Sequence, residues 1–346
     1  VHKPDIVIVT PALADANNGN WQTAQRWGRM LAPAYRVHLA STWQGGDEAV
    51  MLALHARRSA ASVAQWRALR PAAPLVVVLT GTDLYRDIAD DAGAQASLRL
   101  ADRLVVLNQL GAAALPDGLR PKARVVLQSC ALRQTLPKTT HHLRALMVGH
   151  LRAEKSPQTY FDAARLLGGR PDILLDHIGA ALDPALGVAA TALVADHPRY
   201  RWLGGVAHGA TRRRIQTAHV LVHASRMEGG ANVVIEAVRC GTPVLASRID
   251  GNVGLLGERY DGYFPAGDAH ALAALLRRLR DEPAMLAHLQ QQCDARAPLF
   301  DPAHECAALH ALIGDVLTGD VLTGDVLTGD VRAAPTTTPL TNRDTP

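Results

Sequence analysis

The feature that most constrains this chain is an alternation that occurs twice. Apolar runs at residues 5–10, 74–80, 103–108 and 124–128, separated by helical patterns, are followed by a second series at 144–149, 173–179, 219–225 and 243–247. The runs are continuous rather than every-other-residue apolar, as expected of parallel strands buried on both faces. Strands alternating with helices give βα units, and two such series predict an α/β chain with two doubly wound, Rossmann-like domains facing each other across a cleft. The polar, proline-containing link Leu136-Pro-Lys-Thr-Thr140 is the natural boundary. We therefore expect an N-terminal domain over 1–138, a C-terminal domain over 139–313 whose last helix is free to pack back on the first, and a tail over 314–346. Helices are predicted over 268–280, 282–296 and 302–313, the first capped by Asp268. From Gly314 to Thr328 the unit Gly-Asp-Val-Leu-Thr repeats, and this five-residue period suits neither a helical stripe nor a sheet, so the tail is expected to be weakly ordered and not catalytic.

Composition narrows the function. At 346 residues with 48% apolar content the chain can bury two cores, and it has no run of 18 apolar residues that would suggest a membrane span. The first strand begins almost at once, which leaves no room for a signal peptide and makes a cytoplasmic protein the expectation. A net charge of +4 with dispersed arginines argues against a nucleic-acid surface. Cys130, Cys240, Cys293 and Cys306 lack the spacing of a zinc site or disulfide framework. No Asp-x-Asp occurs, so a transfer that needs paired aspartates around a metal is disfavoured; no metal and no cofactor are expected, and positive charge must come from side chains and helix ends.

Three stretches carry chemistry. Ser225-Arg-Met-Glu-Gly-Gly-Ala-Asn232 leaves one strand and enters a helix-like segment containing Glu236. Gly229, Gly230 and Ala231 let a backbone approach a ligand closely, and the helix start beginning at Asn232 offers unpaired N–H groups to a diphosphate. Glu228 and Glu236 can each accept two hydroxyl hydrogen bonds, so one suits a hexose and the other a ribose diol. In Met147-Val-Gly-His-Leu-Arg-Ala-Glu-Lys155 a glycine turn places His150, Arg152 and Lys155 where a strand hands over to a helix; Lys155 is one of only four lysines, against 32 arginines. Its expected work is to neutralise the charge that grows as a diphosphate departs. In the first domain Asn17-Asn-Gly-Asn-Trp-Gln-Thr23 can form a nest of inward N–H groups, with Asn18, Gly19, Asn20 and Thr23 around an anion. Thr80, at the tip of another strand, and His55 lie in segments expected beside it, although His55 alone reads more simply as a satisfied interior histidine.

Gly149 through Lys155, Trp202-Leu-Gly204, the strand at 218–225 and the Glu228/Glu236 pair resemble the donor domain of family 4 glycosyltransferases, which have the GT-B fold. The resemblance implies that Glu228 contacts the donor sugar, Glu236 the ribose and Lys155 the diphosphate. That family usually has Arg where this chain has His150, which makes Arg152 the substitute cation. A narrower resemblance spans roughly 4–313: the segments 10–23, 53–60, 79–87, 225–232 and 247–254 are similar, in order, to selenosugar synthases of bacterial selenoneine biosynthesis. It implies transfer of selenium from selenophosphate to the anomeric carbon of a UDP-sugar, UDP-N-acetylglucosamine being the expected donor, with Asn20 and Thr23 among the acting residues. Coupling to a selenophosphate synthetase and to a later selenoneine enzyme would follow. An ordinary glycosyltransferase with a hydroxyl acceptor is the alternative, and a sugar-nucleotide 2-epimerase is a weaker one, since the first domain offers no good pair of acid and base carboxylates.

Overall fold

A computed structural model of the protein describes residues 3–11 and 19–319. The first sheet contains β1 (Asp5–Val9), β2 (Arg36–Ala40), β3 (Val50–Leu54), β4 (Leu75–Leu79), β5 (Arg103–Val106) and β6 (Ala123–Val125), in the order β2-β1-β3-β4-β5-β6. The second contains β7 (Leu143–Val148), β8 (Ile173–Ile178), β9 (Tyr200–Trp202), β10 (Val220–His223), β11 (Val244–Ser247) and β12 (Tyr263–Phe264), in the order β12-β11-β10-β7-β8-β9. All pairings within both sheets are parallel. Each expected apolar run lies on a strand, and four strands had not been expected. Three of these, β2, β9 and β12, are sheet edges, where short or partly exposed sequences suffice. The fourth, β3, is wholly buried, but its Val-Met-Leu-Ala-Leu sequence is rich in good helix formers, and pairing with β1 and β4 overrides that preference.

The strand order reverses between β1 and β3 in the first sheet and between β7 and β10 in the second. Loops at the carboxyl ends of strands flanking such a reversal border a crevice, which is where open α/β sheets take ligands. The Gly149 turn follows β7 and the Glu228 loop follows β10, so both motifs border one crevice.

The chain crosses between the domains twice, near residues 126–142 and 297–301. The crossings touch where Cys130 N–H donates to the Phe300 carbonyl (3.2 Å), and Arg239 donates to the Cys130 carbonyl (3.0 Å), the Ala297 carbonyl (3.2 Å) and Asp301 (3.1 Å). After the second crossing the helix Pro302–Thr318 lies on the first domain, where Leu309, Leu312 and Ile313 share a core with Ile6, Ile8, Trp27 and Leu31. Among the described residues no helix is long and apolar enough to cross a membrane.

The tail expectation needs correction at its start. The first repeat, Gly314 to Thr318, completes that helix, and Gly319 ends it in the left-handed conformation (φ 70°) that favours glycine. Asp315 is buried and accepts from Arg103 Nε (2.6 Å) and Nη2 (3.2 Å), an anchor that the repeat period alone does not reveal. The later repeats lie outside the described residues. A chain ending at Gly319 is expected to melt like the full chain. Ending it at Ile313 strips Arg103 of its carboxylate partner and should cost about 1.5–3 kcal/mol, the usual worth of charged hydrogen bonds. Thermal melting of the two truncations checks this, and equal melting temperatures would refute it.

Candidate active site

At the carboxyl end of β7 the backbone turns at Gly149, forms the short helical turn Ala153–Lys155 and enters the helix Pro157–Leu166 through Ser156, a left-handed residue with φ 47°. The turn is fixed from below. Gly149 N–H donates to the Ile178 carbonyl (2.8 Å), and the Gly149 carbonyl accepts from His177 Nε2 (3.2 Å), whose Nδ1 accepts from the Tyr200 hydroxyl (3.1 Å). Burial pushes the His177 imidazole down to about 4, so near neutral pH it is uncharged and holds the turn through one defined tautomer. His150 Nδ1 accepts from Ala180 N–H (3.1 Å), and burial, with the charges of Arg152 and Lys155, lowers its pKa. It is therefore not a second cation near neutral pH. Arg152 Nε, 4.0 Å from Glu154 Oε2, is, among the described residues, the buried side-chain polar atom with no hydrogen-bond partner.

The loop after β10 brings Glu228 to this turn. Lys155 Nζ donates to Glu228 Oε1, and His223 Nε2 stands 3.5 Å from the same oxygen. Burial works to raise the Glu228 carboxyl, but the Lys155 charge and then His223 outweigh it and hold the group well below the usual carboxylate range. Glu236 projects from the helix Asn232–Val238, with its Oε1 2.6 Å from His208 Nε2.

The glycines of this loop have a neighbour that the sequence reading did not foresee. A Cβ at Gly229 would stand 2.5 Å from the Thr80 carbonyl carbon and 2.7 Å from Gly81 N, and one at Gly230 would meet the Gln128 amide at 2.6 Å and Leu107 Cβ at 2.8 Å. Close approach is thus required here by the first domain. Asn108 Nδ2 donates to the Gly229 carbonyl (2.8 Å) and to the Tyr85 hydroxyl (3.0 Å). The Gln128 amide, oriented to satisfy its neighbours, donates to the Gly230 carbonyl (3.1 Å) and Asn232 Oδ1 (3.2 Å) and accepts from Arg26 (3.1 Å) and Thr23 (2.5 Å). Between the tips remains a cavity of about 260 Å³ lined by Tyr85, Arg226, Met227, Glu228, Ile249, Asp250 and Gly251. That is smaller than a drug-sized pocket and matches one compact ligand group.

On the first domain His55 ends β3 in a left-handed conformation (φ 73°); it and Ser156 are the non-glycine residues with positive φ among those described, and each follows a strand beside its sheet's reversal. His55 is buried, its Nδ1 accepts from Arg58 N–H (3.4 Å) and its Nε2 lies 3.1 Å from Thr82 Oγ1. Burial lowers its pKa, opposed in part by Asp83 and Asp87. Asp83, which the sequence reading did not single out as a site residue, accepts from the backbone N–H groups of Ala56, Thr80 and Gly81 (2.9 Å each) and so shapes the tip that carries Thr80. Gly19 and Asn20 open the helix Gly19–Leu31, and Asn18 lies outside the described residues. Thr23, expected in an open anion cradle, is buried instead, its hydroxyl giving its proton to the Gln128 amide oxygen and lying 2.8 Å from the Gly19 carbonyl. Asn108 and Gln128 were legible only as polar residues at the ends of apolar runs.

Two parallel doubly wound sheets, each with its reversal loops turned toward the other, define the GT-B fold. Comparisons agree: residues 131–298 match the family model described as glycosyl transferases group 1. Sucrose-phosphate synthase from Thermosynechococcus elongatus superposes with a TM-score of 0.75 at 18% identity, over 92% of this chain and 100% of its own. HepE of Anabaena, in complex with UDP and glucose, gives 0.70 at 14% identity over 90% and 100%. The pneumococcal O-GlcNAc transferase GtfA, in complex with UDP and GlcNAc, gives 0.60 at 17% identity over 78% and 57%. No curated protein matches the sequence closely.

Proposed function

We propose that this protein is a glycosyltransferase-type enzyme that holds a UDP-sugar in the crevice of its second domain and presents an acceptor from the first. The observation that carries the reading is the convergence of Lys155, Arg152 and Glu228 on one reversal point, opposite the first-domain tip. Lys155 and the unpartnered Arg152 Nε take the diphosphate, Glu236 takes the ribose, and Glu228 takes hydroxyls of the transferred sugar. These side chains supply the positive charge that the departing diphosphate needs, so the transfer is expected to run without a metal.

For the acceptor we propose selenophosphate, with UDP-N-acetylglucosamine as donor. Selenium attacks C1, the C1–O bond to UDP breaks, and water then cleaves the P–Se bond to release phosphate. Besides the five ordered segments of resemblance, the hydrogen bonding of Asp83 and His55 favours this reading. Asp83 is occupied by three backbone donors, and buried His55 directs its nitrogens to Arg58 N–H and Thr82. Neither presents a free base to the cleft, and a soft anionic nucleophile needs none, whereas an alcohol does. A hydroxyl acceptor remains the competing outcome.

The test is UDP release from UDP-N-acetylglucosamine with selenophosphate, or with sugar and lipid alcohols, each with and without a chelator. The reading expects release with selenophosphate, a product mass bearing selenium's isotope pattern, and equal rates with chelator. UDP released only with an alcohol would replace it. In parallel, Glu236→Ala should weaken UDP by roughly ten- to a hundredfold by calorimetry, since hydrogen bonds to a charged group are worth about 1.5–3 kcal/mol. Unchanged UDP affinity would remove Glu236 from the ribose.

A further inference from the structure

His223 is a buried imidazole in a strand whose other residues, Val220, Leu221 and Val222, are apolar. Its surroundings fix its protonation pattern. Asn252 Nδ2 donates to the Ser247 carbonyl (2.8 Å) and lies 3.2 Å from Ser247 Oγ, whose own proton goes to the Ser225 carbonyl (2.5 Å). The Asn252 amide can therefore be oriented one way only, with Oδ1 toward His223 Nδ1 at 2.9 Å, so Nδ1 carries a proton and donates it. Nε2 is left to face Ser225 Oγ (3.3 Å) and Glu228 Oε1 (3.5 Å), the oxygen that Lys155 also contacts. Asn252, Ser225 and Ser247 are all buried, so the assembly is shielded from water and held to one geometry.

We propose that His223 is a positioning residue for Glu228: carrying a second proton on Nε2 against the carboxylate, the ring secures it from behind as an imidazolium, so that Glu228 stays aimed at the donor sugar when Lys155 turns from it to the diphosphate. The proposal rests on the reading of Glu228 as the sugar contact. Lys155 is asked to serve two anions in turn, and without a second partner Glu228 would be a largely buried charge with no counterpart in the complex that matters. Asn252, held in turn by Ser247, fixes the ring so that Nε2 stays turned toward Ser225 Oγ and Glu228 Oε1.

Two near-isosteric substitutions separate this role from a structural one. In His223→Asn the amide reaches the position of Nδ1, keeping the bond to Asn252 and losing the atom that faces Glu228. In His223→Gln the amide nitrogen reaches the position of Nε2, keeping a donor to Glu228. Calorimetry with UDP and with UDP-N-acetylglucosamine on the full chain gives the readout. His223→Asn should bind UDP within about twofold of wild type but lose roughly tenfold or more in affinity for the sugar nucleotide, while His223→Gln stays close to wild type for both. In a Glu228→Gln background the two variants should no longer differ, because the coupling runs through that carboxylate. If His223→Asn keeps sugar-nucleotide affinity, or if Asn is tolerated and Gln is not, the proposal is overturned in favour of a packing role through Asn252. Wild-type protein that binds neither nucleotide would withdraw the donor reading itself.

Discussion

Replacing Lys155 with alanine should lower the rate of UDP release by about 10²–10³, the usual cost of removing one preorganised charge from a developing anion. The expected weakening of UDP binding is much smaller. Lys155 sits at the carboxyl end of β7, its stem passing over Gly149 and its amine on Glu228. On the proposed reading the ground-state diphosphate shares its charge with Arg152 and the backbone of the turn, whereas the leaving oxygen gains charge only in the transition state, where Lys155 would act. The variant has a second consequence. Without the Lys155 charge, burial pushes the Glu228 carboxyl back upward from its lowered position, so part of the loss should appear as poorer sugar-nucleotide affinity relative to UDP. Lys155→Arg keeps the charge with a different shape and should recover part of the rate. Initial-rate and binding measurements on the three proteins decide it, and wild-type turnover in Lys155→Ala would remove the residue from the mechanism.

The sequence made this site partly readable because its ingredients are local. A buried parallel strand, a glycine turn and the charges just beyond it occupy a dozen consecutive residues, so Glu228, Glu236, Arg152 and Lys155 are visible without knowledge of the fold. What cannot be read locally is which loops meet. Gly229 and Gly230 were assigned to a ligand, but the contacts that demand glycine are with Thr80, Gly81 and Leu107, more than a hundred residues earlier. Thr23 was assigned to an open cradle because a loop precedes it, whereas Gln128 draws it into a buried link between the domains. His223 looked like one more residue of an apolar run until Asn252 was placed beside it. Strand β3 was hidden by its helix-forming composition and made visible only by its partners. The same limit applies to the tail, where a helix continues into the repeat because Arg103, far upstream, provides a partner for Asp315.

The largest effect on stability is expected at Glu305, which no motif marks. It lies in the helix Pro302–Thr318, 1% exposed, and accepts from Arg26 Nε (3.1 and 2.9 Å), Trp27 Nε1 (2.6 Å), Ser129 N–H (2.8 Å) and Ser129 Oγ (2.5 Å). One carboxylate thus joins the helix Gly19–Leu31, the first interdomain crossing and the last helix. Glu305→Ala takes the acceptor from Arg26 Nε–H, from the buried Trp27 indole N–H and from the Ser129 backbone N–H at once, and breaking a buried pair from one side costs about 3–5 kcal/mol. Glu305→Gln preserves shape and one acceptor and should cost less. The damage should also reach the donor loop, because Arg26 extends from Glu305 to Gln128 and to Asn232 (3.5 Å). An Arg26 released from Glu305 no longer holds the Gln128 amide against Gly230, so the KM for the sugar nucleotide should rise in the fraction that remains folded. Urea denaturation followed by tryptophan fluorescence reports the first effect directly, since Trp27 is one of the side chains that loses its partner. A midpoint unchanged in Glu305→Ala would show that the carboxylate's desolvation cancels its hydrogen bonds, and that apolar contacts alone hold the last helix to the first domain.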